Sequence, residues 1–395
     1  VWALQGQWAE AEADYRAALA LAGQLTDAAA EARCRRLLGA LYRLRGDYPA
    51  ALPWLQAAHD AFTQLDDSAG LASTLIETGI VWLRQGEYAN ARRESEAGLA
   101  LARAASDQRA AALALNTLAG IALNQGDSGT ARALFEESLA LRREIGDRVG
   151  ISISLNNLGI VANRQGDSAA TRALFAQSLA LNRAMGDKEG VAASLNNLGF
   201  IANAEGDANS ARALHAESLA LRREMGEQRG VAMSLSNLGF VAHAQGDYVQ
   251  AQAWYEEGLA HQREIGAKPA IMISLNNLGN LAVERGDPAS AQAFYRECLA
   301  LASELGEQVT LVYSLAGLAA VIAQRADLPR AARLAAGAET LRVRLGAAWE
   351  QIEARIFERT VAAARAGLNQ AAFDAAWSEG ERMALDEAIA DALAE

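Results

Sequence analysis

The chain has 395 residues, a formal net charge of −12, 51% hydrophobic residues, five prolines and two cysteines. A surface this acidic repels phosphate backbones, which argues against direct nucleic-acid binding, and the scarcity of proline and of β-branched runs argues against a β architecture. Cys34 and Cys298 stand far apart without CxxC spacing, so neither a disulfide framework nor a zinc site is expected. No apolar run reaches the roughly 20 residues of a membrane span. Together these features lead us to expect a cytoplasmic, all-helical protein without a cofactor.

The opening VWALQGQ matches the last turns of a helix that recurs as IVWLRQGE at 80–87. The expectation is a truncated first helix pair, from a chain that is a piece of something longer, with apolar surface around Trp2, Trp8 and Tyr15. From about Asp27 the sequence repeats every 40 residues. Gly-Asp or Gly-Glu falls at 46–47, 86–87, 126–127, 166–167, 206–207, 246–247 and 286–287, with Gly6-Gln7 before the series and Ala326-Asp327 at its end. Glycine can close one helix in the left-handed conformation and the acid beside it can cap the next, so each pair predicts a helix–helix corner. A second corner lies half a period away, at Gly146-Asp147, Gly186-Asp187, Gly226-Glu227 and Gly306-Glu307. Each repeat therefore holds two helices of about 18 residues, roughly 27 Å long, and eight complete pairs fit before Gly346. Pro288 suits a first helical position, and Pro53 should kink the helix that contains it.

Within a repeat, SLNNLGIVANRQGD at 154–167 and SLNNLGFIANAEGD at 194–207 place Leu155, Leu158, Gly159 and Ala162, or their equivalents, on one apolar face. Small residues recur at Gly39, Gly79, Ala119, Gly159, Gly199, Gly239, Gly279 and Ala319 in the first helix. The second helix has a small column through Ala131, Thr171, Ala211, Ala251 and Ala291, followed four residues on by Phe135, Phe175, His215, Tyr255 and Tyr295. No pair can bury its face alone, so the pairs must stack. Leu198 is expected in the core. His215 and His261 read as packed side chains in core columns, His59 stands alone in the leucine column of its repeat, and His243 lies near the opposite face. Arg142, Arg143, Arg183, Arg222, Arg223 and Arg263 read as dipole-complementing surface cations of no consequence. Residues 347–395 break the period but still read as helices, with Asn369 and Asp386 as N-caps, covering the apolar face of the last repeat. No HExxH, Walker A or GxSxG motif occurs, and no base, orienter and pocket converge, so the chain is expected not to be an enzyme.

The Leu-Gly, Ala and aromatic columns resemble the tetratricopeptide repeat, here in a 40-residue version similar to the Leu-Gly-Asn-repeat adaptors and, more loosely, to kinesin light chains. Similar arrays form the C-terminal sensor domains of bacterial ATP-dependent regulators of the STAND/LuxR and maltose-activator type, and AAFDAAWSEG followed by LDEAI resembles the end of such regulators. The resemblance implies a right-handed α-solenoid over residues 1–346, a truncated pair followed by eight pairs from about residue 27, with a helical capping segment over 347–395. It implies a protein- or peptide-binding scaffold, the sensor or interaction arm of a bacterial signalling or transcriptional regulator with a nucleotide-binding domain upstream in the same polypeptide. The alternatives are a self-standing adaptor and a small-effector-binding inhibitory domain. In such a solenoid the first helix lines the concave surface.

Advancing 100° per residue from Leu155 puts Ile153, Asn157, Ile160 and Arg164 opposite the core, with Asn156 and Asn163 on the flank. The expected groove therefore comprises Asn116, Asn156, Asn157, Ile160, Asn163, Arg164, Asn196, Asn197, Phe200, Asn203, Met233, Asn237, Phe240, His243, Asn276, Asn277 and Asn280. An amide offers two donors and an acceptor, enough to hold a peptide backbone unit; bonds between neighbouring helices that merely order the stack are the competing reading. Arg33, Arg36 and Arg43 share a face and form a possible anion anchor at the start. Ser73, Ile76, Ile80 and Leu83 follow as an apolar stretch.

Overall fold

The computed structural model describes residues 8–394. The opening segment that contains Trp2 and the corner expected at Gly6-Gln7 lies outside the described residues. Twenty helices and no strand are found among the described residues, and none is long and apolar enough to cross a membrane. After α1 (Trp8–Gln24) the helices alternate as eight pairs: α2 (Ala28–Arg45) and α3 (Tyr48–Gln64), α4 (Ser68–Arg84) and α5 (Tyr88–Ala104), α6 (Gln108–Asn124) and α7 (Ser128–Glu144), α8 (Arg148–Arg164) and α9 (Ser168–Met185), α10 (Lys188–Ala204) and α11 (Ala208–Met225), α12 (Gln228–Ala244) and α13 (Tyr248–Glu264), α14 (Lys268–Glu284) and α15 (Pro288–Leu305), α16 (Gln308–Gln324) and α17 (Leu328–Arg344). Three helices follow: α18 (Gln351–Gly367), α19 (Gln370–Gly380) and α20 (Leu385–Leu393). The fold is an all-helical stack of tetratricopeptide-like helix pairs. The chain divides into two compact units, one ending at Ser194 and one starting at Leu195.

The corners are built as local chemistry dictates. Gly46 closes α2 at φ 81°, its N–H bonded to the carbonyls of Arg43 and Tyr42, and Asp47 caps α3 by accepting from Ala50 N at 3.1 Å. The half-period corners follow the same rule even where glycine is missing: Asp66 and Ser106, both at φ 54°, take the left-handed position, which short polar side chains tolerate. Pro288 opens α15, and α3 continues through Pro53. Asn369 caps α19 by accepting from Ala372 N at 2.9 Å, whereas Asp386 sits inside the first turn of α20 rather than at its cap.

In four consecutive pairs the two helices meet where a ring is seated on a glycine. A Cβ added to Gly159 would meet Phe175 at 2.5 Å, one on Gly239 would meet Tyr255 at 2.5 Å, and one on Gly279 would meet Tyr295 at 2.6 Å. His215 takes the same place against Gly199, at 2.7 Å. Around these contacts Leu155, Leu158 and Ala162, and Leu235 and Leu238, are buried. Leu198 is only half-buried, and Ile76, expected on the opposite face, is fully buried in the core against Gly98. Trp8 and Tyr15 are half-buried, as are His59 and His261. Arg142 and Arg222 are also buried, at 5% and 7% exposure. Arg142 donates to the Gly150 carbonyl at 2.6 Å and to Ser154 Oγ at 3.0 Å. These two cations are core ties between consecutive helices, not free surface charges. In the second unit α19 and α20 pack on α17, where Arg333 pairs with Asp391 at 2.7 Å. The third extra helix, α18, also touches α17 and extends over α16 and α14.

Replacing Leu235 with Ala should cost about 2–5 kcal/mol by opening a cavity, and the same change at half-buried Leu198 should cost less; urea unfolding of both variants checks the ranking. Burial holds His215 neutral and lowers its pKa to about 4. The unfolded chain therefore takes up the proton first, and stability should fall as pH drops from about 6.5 to 4, by up to about 3 kcal/mol. His215→Phe, which restores the ring of the neighbouring repeats, should remove that loss, and thermal melting between pH 4 and 7 reads it directly.

Candidate functional site

The face opposite the core is formed by the first helices of the pairs. In the first unit Ile153 is 46% exposed; Asn116, Asn156, Asn157 and Ile160 are half-buried, and Asn163 and Arg164 are exposed. The asparagines do not simply face outward. Asn157 Nδ2 donates to Asn116 Oδ1 of the preceding repeat at 2.9 Å, and Arg164 donates to the Leu123 carbonyl at 2.6 Å. In the second unit Asn237 Nδ2 donates to Asn196 Oδ1 at 2.6 Å, and Gln324 donates to the Val283 carbonyl at 2.7 Å. All four links span 41 residues, so one step of the repeat plus one residue brings partners together on adjacent first helices. A side-chain pair of this kind uses one donor and one acceptor and leaves the other amide groups of both residues available. The doubled asparagine thus serves the stack and still presents polar groups on the face.

Beside the amides stand apolar side chains. Phe200 is 59% exposed, Met233 41% and Ile273 53%, with Phe240 half-buried. Asn197, Asn203 and Asn277 are half-buried on the same helices.

Three residues expected on an open groove are buried: His243, Asn276 and Asn280, at 0%, 4% and 1% exposure. His243 is enclosed by Tyr248, Tyr255 and Glu284, whereas Asn276 and Asn280 are covered by α18, which lies on the first-helix faces of α14 and α16. Its buried Glu353 receives hydrogen bonds through Oε1 from Asn276 Nδ2 at 2.9 Å and Asn280 Nδ2 at 2.7 Å. The Asn280 carbonyl oxygen in turn accepts from Tyr295 Oη at 2.7 Å. Burial pushes the Glu353 carboxyl pKa up, against the two amide bonds that favour its charge. Next to it Glu284, its side chain 1% exposed, meets His243 Nε2 at 2.9 Å and accepts from Arg355 Nε at 2.6 Å. Burial works to raise the Glu284 pKa, but the hydrogen bonds from His243 and Arg355 outweigh it and hold the value down at about 2. Upstream of α18, Trp349 packs 5.7 Å from Tyr313 and stacks at 4.8 Å on Phe357, while Tyr313 Oη donates to the Ala348 carbonyl at 2.6 Å. Glu353, Glu284, Tyr313 and Trp349 escaped the sequence reading. The available signal was the break in column at Asn280 and Glu284, where the other repeats have Ile160, Phe200 and Phe240, and Arg164, Ala204 and Ala244.

The three arginines at the chain's start do not act together. Arg43 is paired with Glu77 at 2.6 Å, and neither side chain is more than 20% exposed. Arg36 is half-buried, and Arg33 is exposed. Pairing with Glu77 takes Arg43 out of the expected anchor.

Asn276→Ala removes a bond to a buried carboxylate and should destabilise the second unit by about 1–3 kcal/mol. Because the folded Glu353 pKa is raised, the native state holds the extra proton. Stability should therefore decline as pH rises from the ordinary carboxylate range through the raised value. Glu353→Gln keeps an oxygen acceptor for both amides and carries no charge, so it should flatten that decline, whereas Glu353→Ala should lower stability at every pH. Melting temperatures from pH 4 to 8 separate the three variants.

The tetratricopeptide repeat family model matches residues 3–64 and, in overlapping stretches, residues 109–184, 150–224, 190–264 and 230–304, well over half of the chain. A second model, anaphase-promoting complex subunit 5, matches residues 40–125. No curated protein matches. Among solved structures, the apo form of the quorum sensor NprR from B. thuringiensis is similar at a TM-score of 0.58 and 15% identity, over 76% of this chain and 86% of that one. A Rap protein complexed with competence and sporulation factor has a TM-score of 0.56 at 14% identity, over 70% of this chain and 76% of that one. The Rap conjugation gene regulator of plasmid pLS20, in complex with the Phr* peptide, has a TM-score of 0.55 at 13% identity, over 71% of this chain and 76% of that one. At these identities the likeness speaks to fold. With the repeat model matched along most of its length and paired helices of the same design, the chain belongs to the tetratricopeptide repeat family.

Proposed function

We propose that this chain is a non-catalytic scaffold that holds a protein or peptide segment on its first-helix faces. The observation that carries the reading is α18. In one repeat the amides of Asn276 and Asn280 already grip a segment of polypeptide through Glu353, and the same columns hold Asn196 and Ser236, and Phe200 and Phe240, in the two preceding repeats, with Asn237 beside Ser236. Amides and apolar side chains of this kind recognise a chain rather than transform it. A role as the sensor or interaction arm of a larger bacterial regulator is part of the proposal. Its support is that similarly folded proteins include a quorum sensor, a Rap protein bound to competence and sporulation factor and a Rap regulator bound to Phr* peptide, together with the resemblance of the C-terminal helices to the ends of such regulators.

The test is affinity capture from a bacterial cytoplasm followed by titration of the captured partner. Asn196→Ala with Asn237→Ala removes two amides worth about 0.5–1.5 kcal/mol each toward a neutral backbone, so binding should weaken roughly five- to a hundredfold. Removing both partners of the link at once should leave the fold nearly as stable. Glu136→Ala, at an exposed site on α7, is the control, and a partner held equally by the variant and the control would overturn the reading.

A further inference from the structure

The helix α18 covers first-helix faces whose columns recur in the preceding repeats. It starts where Trp349 lies on Tyr313 and ends where Gly367 approaches Leu328, so it runs alongside α16 in the same direction. Within α18 the buried residues Ile352, Ile356 and Thr360 recur every four residues, and Ile356 and Thr360 line one cavity with Ala320, Ala323 and Gln324 of α16. Four residues are about one helical turn, so one face of α18 lies along α16. The rows that α18 covers do not stop at its edge. Tyr313 is preceded in its row by Ile273 and Met233, and Ala320 and Asn280 by Phe240 and Phe200. In those earlier repeats the row members are apolar and, at Phe200, Met233 and Ile273, 41–59% exposed. The interface that α18 makes therefore continues, uncovered, onto α12.

The flank of α18 that faces this continuation is basic. Arg355 reaches back to Glu284 on α14. Arg359, one turn on, is exposed, and both guanidiniums lie close enough to Tyr248, at the start of α13, to oppose the burial that raises its hydroxyl pKa. Arg355 is satisfied by Glu284, whereas Arg359 has no acidic partner among the described residues.

We infer that the face of α12 and α14 beside α18 receives a second helix, an acidic amphipathic segment of a partner protein. It sets apolar residues seven apart on Met233 and Phe240 and a carboxylate against Arg359. The inference rests on the scaffold reading and specifies its ligand. A helix is preferred over an extended chain because the same rows already hold one on α14 and α16, and i, i+3 or i+4, i+7 anchors are how a helix lies in an apolar groove. The acid is specified by the unpaired guanidinium at the rim, which steers encounter and orientation.

The test uses the whole chain and three labelled synthetic peptides of about 18 residues. All share one apolar stripe at i, i+4 and i+7. One carries glutamates on the flank, one carries lysines there, and one repeats the glutamate sequence with two interior prolines that forbid the helix. Fluorescence anisotropy at low and high salt reads affinity. The glutamate helix should bind at least tenfold tighter than the lysine helix, with the advantage reduced by salt. Arg359→Glu, at an exposed side chain, should reverse that order, and Phe240→Ala should weaken both helices. Equal or tighter binding of the proline-broken peptide would overturn the helical ligand while leaving the scaffold reading standing. An unchanged order in Arg359→Glu would overturn the acidic partner. If no helix bound at millimolar concentration the inference would fall, and the Asn196 and Asn237 capture experiment would decide the scaffold reading separately.

Discussion

The first-helix faces depend on one contact, a ring seated against a glycine. Phe175 on Gly159, His215 on Gly199, Tyr255 on Gly239 and Tyr295 on Gly279 bring the two helices of these four pairs to the same close approach. A methyl group at the glycine would stand 2.5–2.7 Å from the ring, closer than real contacts allow, so the spacing within a pair cannot drift. Helices of 17 or 18 residues, bounded by left-handed corners, then repeat that spacing every 40 residues.

Equal spacing is what allows short side chains to work across repeats. An asparagine reaches only one neighbour, yet Asn157 finds Asn116 and Asn237 finds Asn196 at the same offset. A single neutral link of this kind contributes about 0.5–1.5 kcal/mol, less than one buried leucine. Its larger effect is to hold adjacent first helices in register, so that side chains of one column form a row. One asparagine of the doublet is thus a tie: one donor and one acceptor serve the stack between adjacent first helices.

The same face meets two environments in the second unit. On α14 and α16 the segment leading into α18 buries an aromatic cluster and α18 a carboxylate, converting Asn276, Asn280 and Glu284 into interior groups with tight polar pairing. On α12 the rows keep exposed apolar side chains flanked by amides. Burying Glu353 is unfavourable on its own, as its raised pKa records, and is tolerated because two amides and the packing of Ile352 and Ile356 compensate. The His243–Glu284–Arg355 chain carries opposite pH behaviour, with a carboxylate held ionised rather than neutral.

Periodicity alone determined the helices, their corners and their core columns, because capping, left-handed closure and apolar spacing are local or nearly local interactions. The 40-residue period, the glycine–ring columns, the core face of Leu155 and the opposite face of Asn157 and Ile160 all follow from residues within one repeat. Tertiary structure decided what lies between repeats and across the end of the array. Whether Asn157 faces a ligand or Asn116, whether Arg43 is free or paired with Glu77, and whether Arg142 is a surface cation or a core tie depend on groups 8 to 41 residues away that no pattern encodes. Docking α18 on Asn276 and Asn280 joins residues 73 and 77 apart through an aperiodic segment. With no repeat to propagate the contact, its only trace in the sequence was a polar residue standing where its neighbours are apolar.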